Sequence, residues 1–534
     1  MAWLHTWTGL LVGWVLLLIF MAGTASYYRD EISRWMRPEL TLPSSPVEPA
    51  AAAQAALAFL EGKAPNAETW TVTLPDARNP ALRVFWRNPE TPSDDGKPRN
   101  RRDRFGNATL DAQTGQVIAA RETRGGDFFY RLHFDLHYIP VIWARWIVGF
   151  CSMFMLVAII TGVITHKKIF KDFFTFRPGK GQRSWLDFHN VSAVLALPYH
   201  AMITYTGIVT LMFLYLPWGV QAAYPKDADA FWNEAFATSG EVRAASGERA
   251  VSKPMAELLN AASAHWHGAP VARFVVHHPG DRLAVIEATQ RDGRRLSSDT
   301  PSLRLDAVSG TLLDTSGEPG GASQTRGVMV GLHVARFADS GLRALFFVSG
   351  LIGCLMVASG VILWAIKERP KHLKAGRIGF GLRLVDALNI GTVAGLPIAF
   401  ATYFWANRLL PAGLPGREKS EALAFFVAWG AALLAAFVWP RRAMWSWQLY
   451  AGAAAFALLP VLNALTSDAH LLANLRRGDG VLVGFDLVVL ALGVCLAIAA
   501  RRMQAWQPAP TAAERRARSA PLQPAPLQPA EVTP

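Results

Sequence analysis

The chain carries thirteen histidines, spread unevenly. Six of them, His5, His137, His166, His189, His200 and His333, fall in or at the ends of the first four long apolar runs. No histidine falls within the four apolar runs that follow. An ionisable side chain inside an apolar run marks a functional site by default, because burying it is costly. Imidazole is a common axial ligand of haem iron, and electron-transfer haems often take two strong ligands. Six such histidines in four helices could therefore hold two haems b, one above the other. His133, four residues before His137, can share the same helical face. Arg145 and Arg343 lie at the ends of the second and fourth runs, where a guanidinium could meet a haem propionate or anchor at the interface. Asp187 can orient His189 or cap the start of its helix.

The elements that must position these residues are transmembrane helices. The composition is 51% hydrophobic with mean hydropathy +0.20, too apolar for an ordinary soluble globule. Eight runs are long enough to cross a bilayer, near 7–27, 141–165, 188–216, 342–366, 384–404, 422–439, 444–466 and 480–500. Polar stretches at 28–136 and 217–332 interrupt them. The expected organisation is TM1 over 1–27, a first outer domain over 28–136, TM2 over 137–166 and a basic loop over 167–187. TM3 over 188–216, a second outer domain over 217–332, TM4 over 333–366 and a loop over 367–383 follow. A four-helix bundle over 384–506 and a disordered Pro/Ala-rich tail over 507–534 complete the chain. The fold class expected is a membrane all-α bundle of about eight helices with two small α+β domains inserted.

Positive charge sets the orientation. The net charge is +13, and its clusters explain it without nucleic acid. Lys167, Lys168, Lys171, Arg177, Lys180 and Arg183 fill one short loop, and Lys367, Arg369, Lys371, Lys374, Arg377 and Arg383 another. Arg441, Arg442, Arg501 and Arg502 follow the sixth and eighth runs. Alternating spans put all of these on one side, which the positive-inside rule makes the cytoplasm. Both termini are then cytoplasmic, and both polar domains face the periplasm of an inner membrane. By that topology His5, His166 and His189 lie near the inner face, His137 and His333 near the outer. His200 is eleven residues past His189, roughly 16 Å along a helix. Residues 1–26 end in small residues as a signal peptide would, but lack a basic start and read as a retained helix. Cys151, Cys354 and Cys495 each sit in an apolar run, so no disulfide framework is available.

A tandem repeat underlies the first four runs. His5 and Gly23 are eighteen residues apart, as are His189 and Gly207; Arg145 and Gly162 are seventeen apart, as are Arg343 and Gly360. ATLDAQTGQVIA at 108–119 resembles SLRLDAVSGTLLD at 302–314, and a Leu-His follows each, at 136–137 and 332–333. The D-x-x-[TS]-G reads as a hairpin turn. Each outer segment opens with an Ala-rich helical stretch, Pro49–Glu61 and Lys253–His265, followed by short β-type runs. The repeat pairs His5 with His189 and His137 with His333, while Trp364 and Leu16 align with His166 and His200. Cross-pairings such as His166 with His189, or His200 with His333, remain open alternatives.

An outer D-x-x-TG module between helices, an N-terminal H-x-W-x-GL, a Leu-His before the next span and the D-x-H-N opening the third resemble the PepSY-associated transmembrane family. LPYHAMITYTGIVTLMFLYLPWG at 197–219 is similar to the ferrioxamine-type siderophore reductases. The resemblance covers residues 1–366 well and 384–500 loosely. It implies a haem-containing inner-membrane reductase that delivers electrons to a ferric siderophore in the periplasm. The sequence carries no dinucleotide fingerprint after a strand and no P-loop, so electrons are expected from a membrane quinol or a docking cytosolic reductase. His265, His267, His277 and His278 read as surface or strand residues rather than a metal site, since no further ligand pattern accompanies them. Two other readings stand beside the reductase. A permease for a siderophore or other solute would suit a parallel repeat, though no span carries an obvious buried acid–base relay. A non-catalytic binding or regulatory protein would use the outer modules alone and leave the histidines unexplained.

Overall fold

The structure, a computed structural model, describes residues 1–505 except 41–46, 77, 91–103, 167–172, 174, 226, 237–242, 292–294 and 318–319. The tail 507–534, most of the loop 91–104, and Lys167, Lys168 and Lys171 lie outside the described residues.

Long apolar stretches can satisfy their backbone groups in a bilayer only as helices. Among the described residues seven helices are long and apolar enough to cross a membrane, or eight if one bent pair counts as a span. The chain is a multi-pass membrane protein. The helices used below are α1 (Ala2–Ser26), α2 (Arg29–Trp35), α3 (Pro49–Lys63), α4 (Asp127–Asp135), α5 (Val141–Thr165), α6 (Gln182–Leu195) and α7 (Leu197–Thr210). After them come α8 (Met255–His265), α9 (Gly321–Val334), α10 (Ser340–Lys374), α11 (Phe380–Asn389), α12 (Gly395–Leu409), α13 (Arg417–Val438), α14 (Arg442–Ala457), α15 (Leu459–Thr466) and α16 (Gly480–Ala505). The third expected span is the bent one: α6 and α7 meet at 68° around Ala196. Pro198 lacks the N–H that would continue the ladder, which fits a break there. α1 runs through the middle of the first four spans, with Leu16, Leu17, Ile19 and Ala22 buried against Cys151 and Met155 of α5 and Met356 and Val357 of α10.

The two polar segments do not form separate units. Their strands are β1 (Thr69–Thr73), β2 (Leu82–Arg87), β3 (Phe105–Leu110), β4 (Val271–His277), β5 (Val285–Gln290), β6 (Ser302–Asp306) and β7 (Leu312–Thr315). They join in one antiparallel sheet of order β3-β2-β1-β4-β5-β6-β7. The seam is β1 on β4, with Thr71 opposite Val275. Alternation in the strands gives the sheet one apolar face, carrying Trp70, Val72, Val84, Phe274, Val276, Ile286 and Leu305. The alanine-rich faces of α3 (Ala52, Ala53, Ala56) and α8 (Leu258, Leu259, Ala262) cover it. The D-x-x-[TS]-G signals form matching turns. Asp111 accepts from the backbone N–H of Gln113 and Thr114, and Asp306 from those of Val308 and Ser309. Gly115 and Gly310 close the turns at φ +71° and +74°, a region that favours glycine.

Helices α11 to α16 are pinned to the rest by buried charge. Arg417 and Glu421 form an ion pair with both side chains fully buried. Glu421 also accepts from Asn407 and from Thr123 of the segment before α4. Arg408 stacks over Trp35 of α2 at 3.8 Å and donates to its carbonyl. The Trp35 indole N–H donates to Asp486 of α16 at 2.9 Å, and Arg34 pairs with Asp479. Charges buried at this depth persist only when paired and hydrogen-bonded. The sequence hides the network because its members lie on five separate segments.

Candidate functional site

Two pairs of histidines face each other across the first four spans. His5 of α1 and His189 of α6 have ring centroids 6.3 Å apart. His133 of α4 and His333 of α9 have centroids 5.9 Å apart.

All four imidazoles are held in the same way. Nδ1 bonds a main-chain carbonyl of a neighbouring helix: His5 to Ala158 at 2.9 Å, His189 to Met356 at 3.0 Å, His133 to Ile19 at 2.7 Å and His333 to Ile203 at 3.2 Å. A carbonyl can only accept, so Nδ1 carries the proton and Nε2 keeps its lone pair. None of the four Nε2 atoms has a hydrogen-bond partner among the described residues. Hydroxyls stand close to three of the rings: Thr161 beside His5, Ser359 beside His189 and Thr206 beside His333.

A glycine makes room for each ring. A Cβ on Gly162 would stand 3.2 Å from His5, and one on Gly360 3.2 Å from His189. On Gly23 it would stand 2.6 Å from His133, and on Gly207 3.0 Å from His333. These are the four glycines of the sequence repeat. Each serves a histidine on another helix, not the His5, Arg145, His189 or Arg343 it is spaced from along its own. The glycine and the bonded carbonyl lie one turn apart on one helix, so the same surface accepts the proton and admits the ring.

The pairs fit haem. Two imidazoles on one iron, with Fe–N bonds of about 2 Å, have ring centroids about 6 Å apart. Both observed separations match, and the free Nε2 with a bonded Nδ1–H is the state a metal-binding imidazole takes. Among the described residues no group of three or more His, Cys, Asp or Glu could hold a metal ion alone. Each pair offers two ligands, so an iron held there would need its remaining ligands from a macrocycle such as haem. Along α1, His5 and Ile19 are fourteen residues apart, which separates the pairs by roughly 20 Å.

The other expected ligands are placed differently. His137 is not opposite His333. Helix α4 ends at Asp135, and Leu136, His137 and Tyr138 take left-handed conformations with φ between +49° and +51°. The His137 ring then stacks on Phe426 with centroids 5.4 Å apart. His166 caps the end of α5, its backbone N–H donating to the Gly162 carbonyl. His200 is fully buried between the two pairs, beside Phe20 at 6.4 Å and Gly353. Neither of its ring nitrogens makes a hydrogen bond of normal geometry, although the backbones of Ala193 and Ser349 are near. The two arginines are neutralised within the protein: Arg145 donates to Asp135 at 3.0 Å and Arg343 to Glu31 at 2.7 Å. Asp187 is bound by Arg177, so it neither orients His189 nor caps α6, whose N-cap is Gly181.

Residues 2–367 match the family described as the PepSY-associated TM region. The chain belongs to this family. The match includes α1 to α9, most of α10 and all four paired histidines, and ends before α11. A protein of Pseudomonas aeruginosa, the uncharacterised PA4219, is 29% identical over 389 residues, spanning 69% of this chain and 92% of its own length. All four paired histidines lie within the matched region, and α11 to α16 lie outside it.

Proposed function

We propose that the protein is a haem b reductase of the bacterial inner membrane that passes electrons outward to a ferric siderophore. The observation that carries this reading is the pair of matched histidine pairs, both at bis-imidazole spacing and roughly 20 Å apart along α1. Two haems held by these pairs would supply a one-electron path across most of the bilayer. His5 and His189 would hold the inner group, His133 and His333 the outer. The donor is a membrane quinol or a reduced cytosolic protein that meets the basic inner loops. For each electron the donor is oxidised and one ferric ion of the chelate becomes ferrous. Hard oxygen ligands hold Fe(II) less strongly than Fe(III), so the metal is released for uptake. Both termini are cytoplasmic in this reading. The sheet is periplasmic and composed of two PepSY-like halves that arose by tandem duplication.

The test is an absorption spectrum of the detergent-purified protein before and after dithionite, with a haem-to-protein ratio. A reducible b-type spectrum with two haems per chain supports the proposal. Reoxidation of the reduced protein by a ferric siderophore, with Fe(II) captured by a chromogenic chelator, supports the direction of transfer. A colourless protein from haem-sufficient cells overturns it. The permease reading has one feature in its favour, the 68° break between α6 and α7, since discontinuous helices line many transport sites. Uptake into vesicles without any reductant would favour that alternative.

A further inference from the structure

The sheet has a second, uncovered face. Its rows follow from the strand register. The row nearest the membrane helices runs Thr109, Arg83, Thr73, Arg273, Thr289 and Ser302, one residue from each of β3, β2, β1, β4, β5 and β6. Paired residues of neighbouring strands point to the same side, opposite the Val72 and Phe274 side packed under α3 and α8. Arg83 and Arg273 therefore flank Thr73 across the seam between the two halves. They are two strand spacings apart, roughly 10 Å.

These two arginines differ from others on the sheet. Arg87 is paired with Glu68, Arg104 with Glu68 and Glu90, and Arg304 with Glu287. Arg83 and Arg273 are exposed and have no carboxylate partner among the described residues. The acids nearby are already engaged: Asp76 by Arg291, and Glu31 by Arg78 and Arg343. Arg37, just past α2, stands close enough to Arg83 for the two charges to repel.

The row lies at the sheet end whose loops reach α2 and α9. Arg78, between β1 and β2, bonds Glu31 of α2. Ser298, between β5 and β6, donates to Gly327 of α9, and the Leu296 carbonyl packs on Gly331. Gly331 is two residues from His333. The sheet end that carries the arginine row thus rests on α2 and on α9, the helix that carries His333.

We infer that this row is the platform on which the electron acceptor docks, and that the acceptor is a polyanionic ferric chelate. The inference rests on the reductase reading above. Guanidinium groups bind carboxylate or phenolate oxygens with charge-assisted, often bidentate, hydrogen bonds. Two of them about 10 Å apart, with the Thr73 hydroxyl between, suit a compact iron complex presenting anionic oxygens on several sides. A chelate without net negative charge would leave both guanidiniums unpaired.

Binding is measured on the full-length, oxidised, detergent-purified protein, so that neither haem reduction nor turnover enters the readout. Equilibrium dialysis of a ferric tris-catecholate, followed by iron content, gives the affinity. Arg83→Gln and Arg273→Gln should each weaken it about tenfold, and the double variant should abolish it. The paired Arg87→Gln should leave it unchanged. Affinity should fall as salt rises, and a ferric trihydroxamate should bind more weakly. Undiminished binding in the double variant, a trihydroxamate bound as tightly, or no binding of either chelate would each overturn the platform. The haem content and dithionite spectrum of the same samples judge the reductase reading separately.

Discussion

The imidazoles of His133 and His333 stand 5.9 Å apart, whereas His137, four residues further on, lies flat against Phe426. That relationship assigns different consequences to two neighbouring histidines. His133→Ala or His333→Ala should remove the outer haem and leave about one per chain, the other pair being intact. His137→Ala should keep both. Pyridine haemochrome analysis of the three variants checks this, and loss of haem in His137→Ala alone would reverse the assignment.

The glycines opposite the rings make a graded series. Gly23 leaves the least space, since an added Cβ would come within 2.6 Å of His133. The ring cannot retreat without breaking its bond to Ile19. Gly23→Ala should therefore cost the outer haem or shift its absorption bands, while the chain still inserts and folds. Gly162→Ala and Gly360→Ala, at 3.2 Å, need only a small adjustment and should retain haem with modest spectral shifts. Spectra and redox titrations of the three variants compare them.

Much of this architecture was legible in the sequence. Apolar run length gave the spans, and Asp111 and Asp306 with their following glycines gave the two turns. The choice between His133 and His137 was not legible. His333 precedes Arg343 by ten residues, while His133 and His137 precede Arg145 by twelve and eight. The interval lies midway between the candidates, and both follow a leucine. Helix termination at Asp135 decides it: His133 stays on the helix, while Leu136, His137 and Tyr138 turn to positive φ. The β1–β4 seam was hidden for another reason: the strands are about two hundred residues apart, and alternation sets a strand's faces without naming its neighbour.

Arg417 and Glu421 are buried completely, and removing one partner leaves the other's charge buried without its ion-pair partner. Arg417→Ala should destabilise the protein by about 3–5 kcal/mol and loosen α11 to α16 from α2. Replacing both, as Arg417→Met with Glu421→Leu, should recover a large part of that loss, because no charge remains to desolvate. Unfolding in mixed detergent, followed by tryptophan fluorescence, measures both variants. Equal losses in the single and double variants would show that the other partners of the network dominate.

Thr71 and Val275 are direct partners across the seam of the sheet. Opposed residues in antiparallel strands have Cα atoms about 4.5–5.5 Å apart, within the range a disulfide bridges. The double variant Thr71→Cys, Val275→Cys should therefore form an intramolecular crosslink on mild oxidation, seen as a mobility shift in non-reducing gels. A control placing cysteines at Thr71 and Thr289 should not crosslink. Failure of the first pair would separate the two halves of the sheet.

Asp281 ties the start of the second half to its sheet. Its carboxylate accepts from the N–H of Leu283, the N–H and hydroxyl of Ser246, and the N–H of Gly247. The backbone N–H of Leu283, then that of Ser246, pull its pKa from 3.8 down to about 2. A folded-state pKa below the unfolded one means the charged form favours the fold. The contribution is present in full above pH 3.8 and is lost as the pH falls through about 2. Asp281→Asn should lower the melting temperature at neutral pH, and the gap from the parent should close as the pH falls over that window. Thermal melts of both proteins between pH 7 and 2 test the sign, and a gap that widens toward acid would refute it.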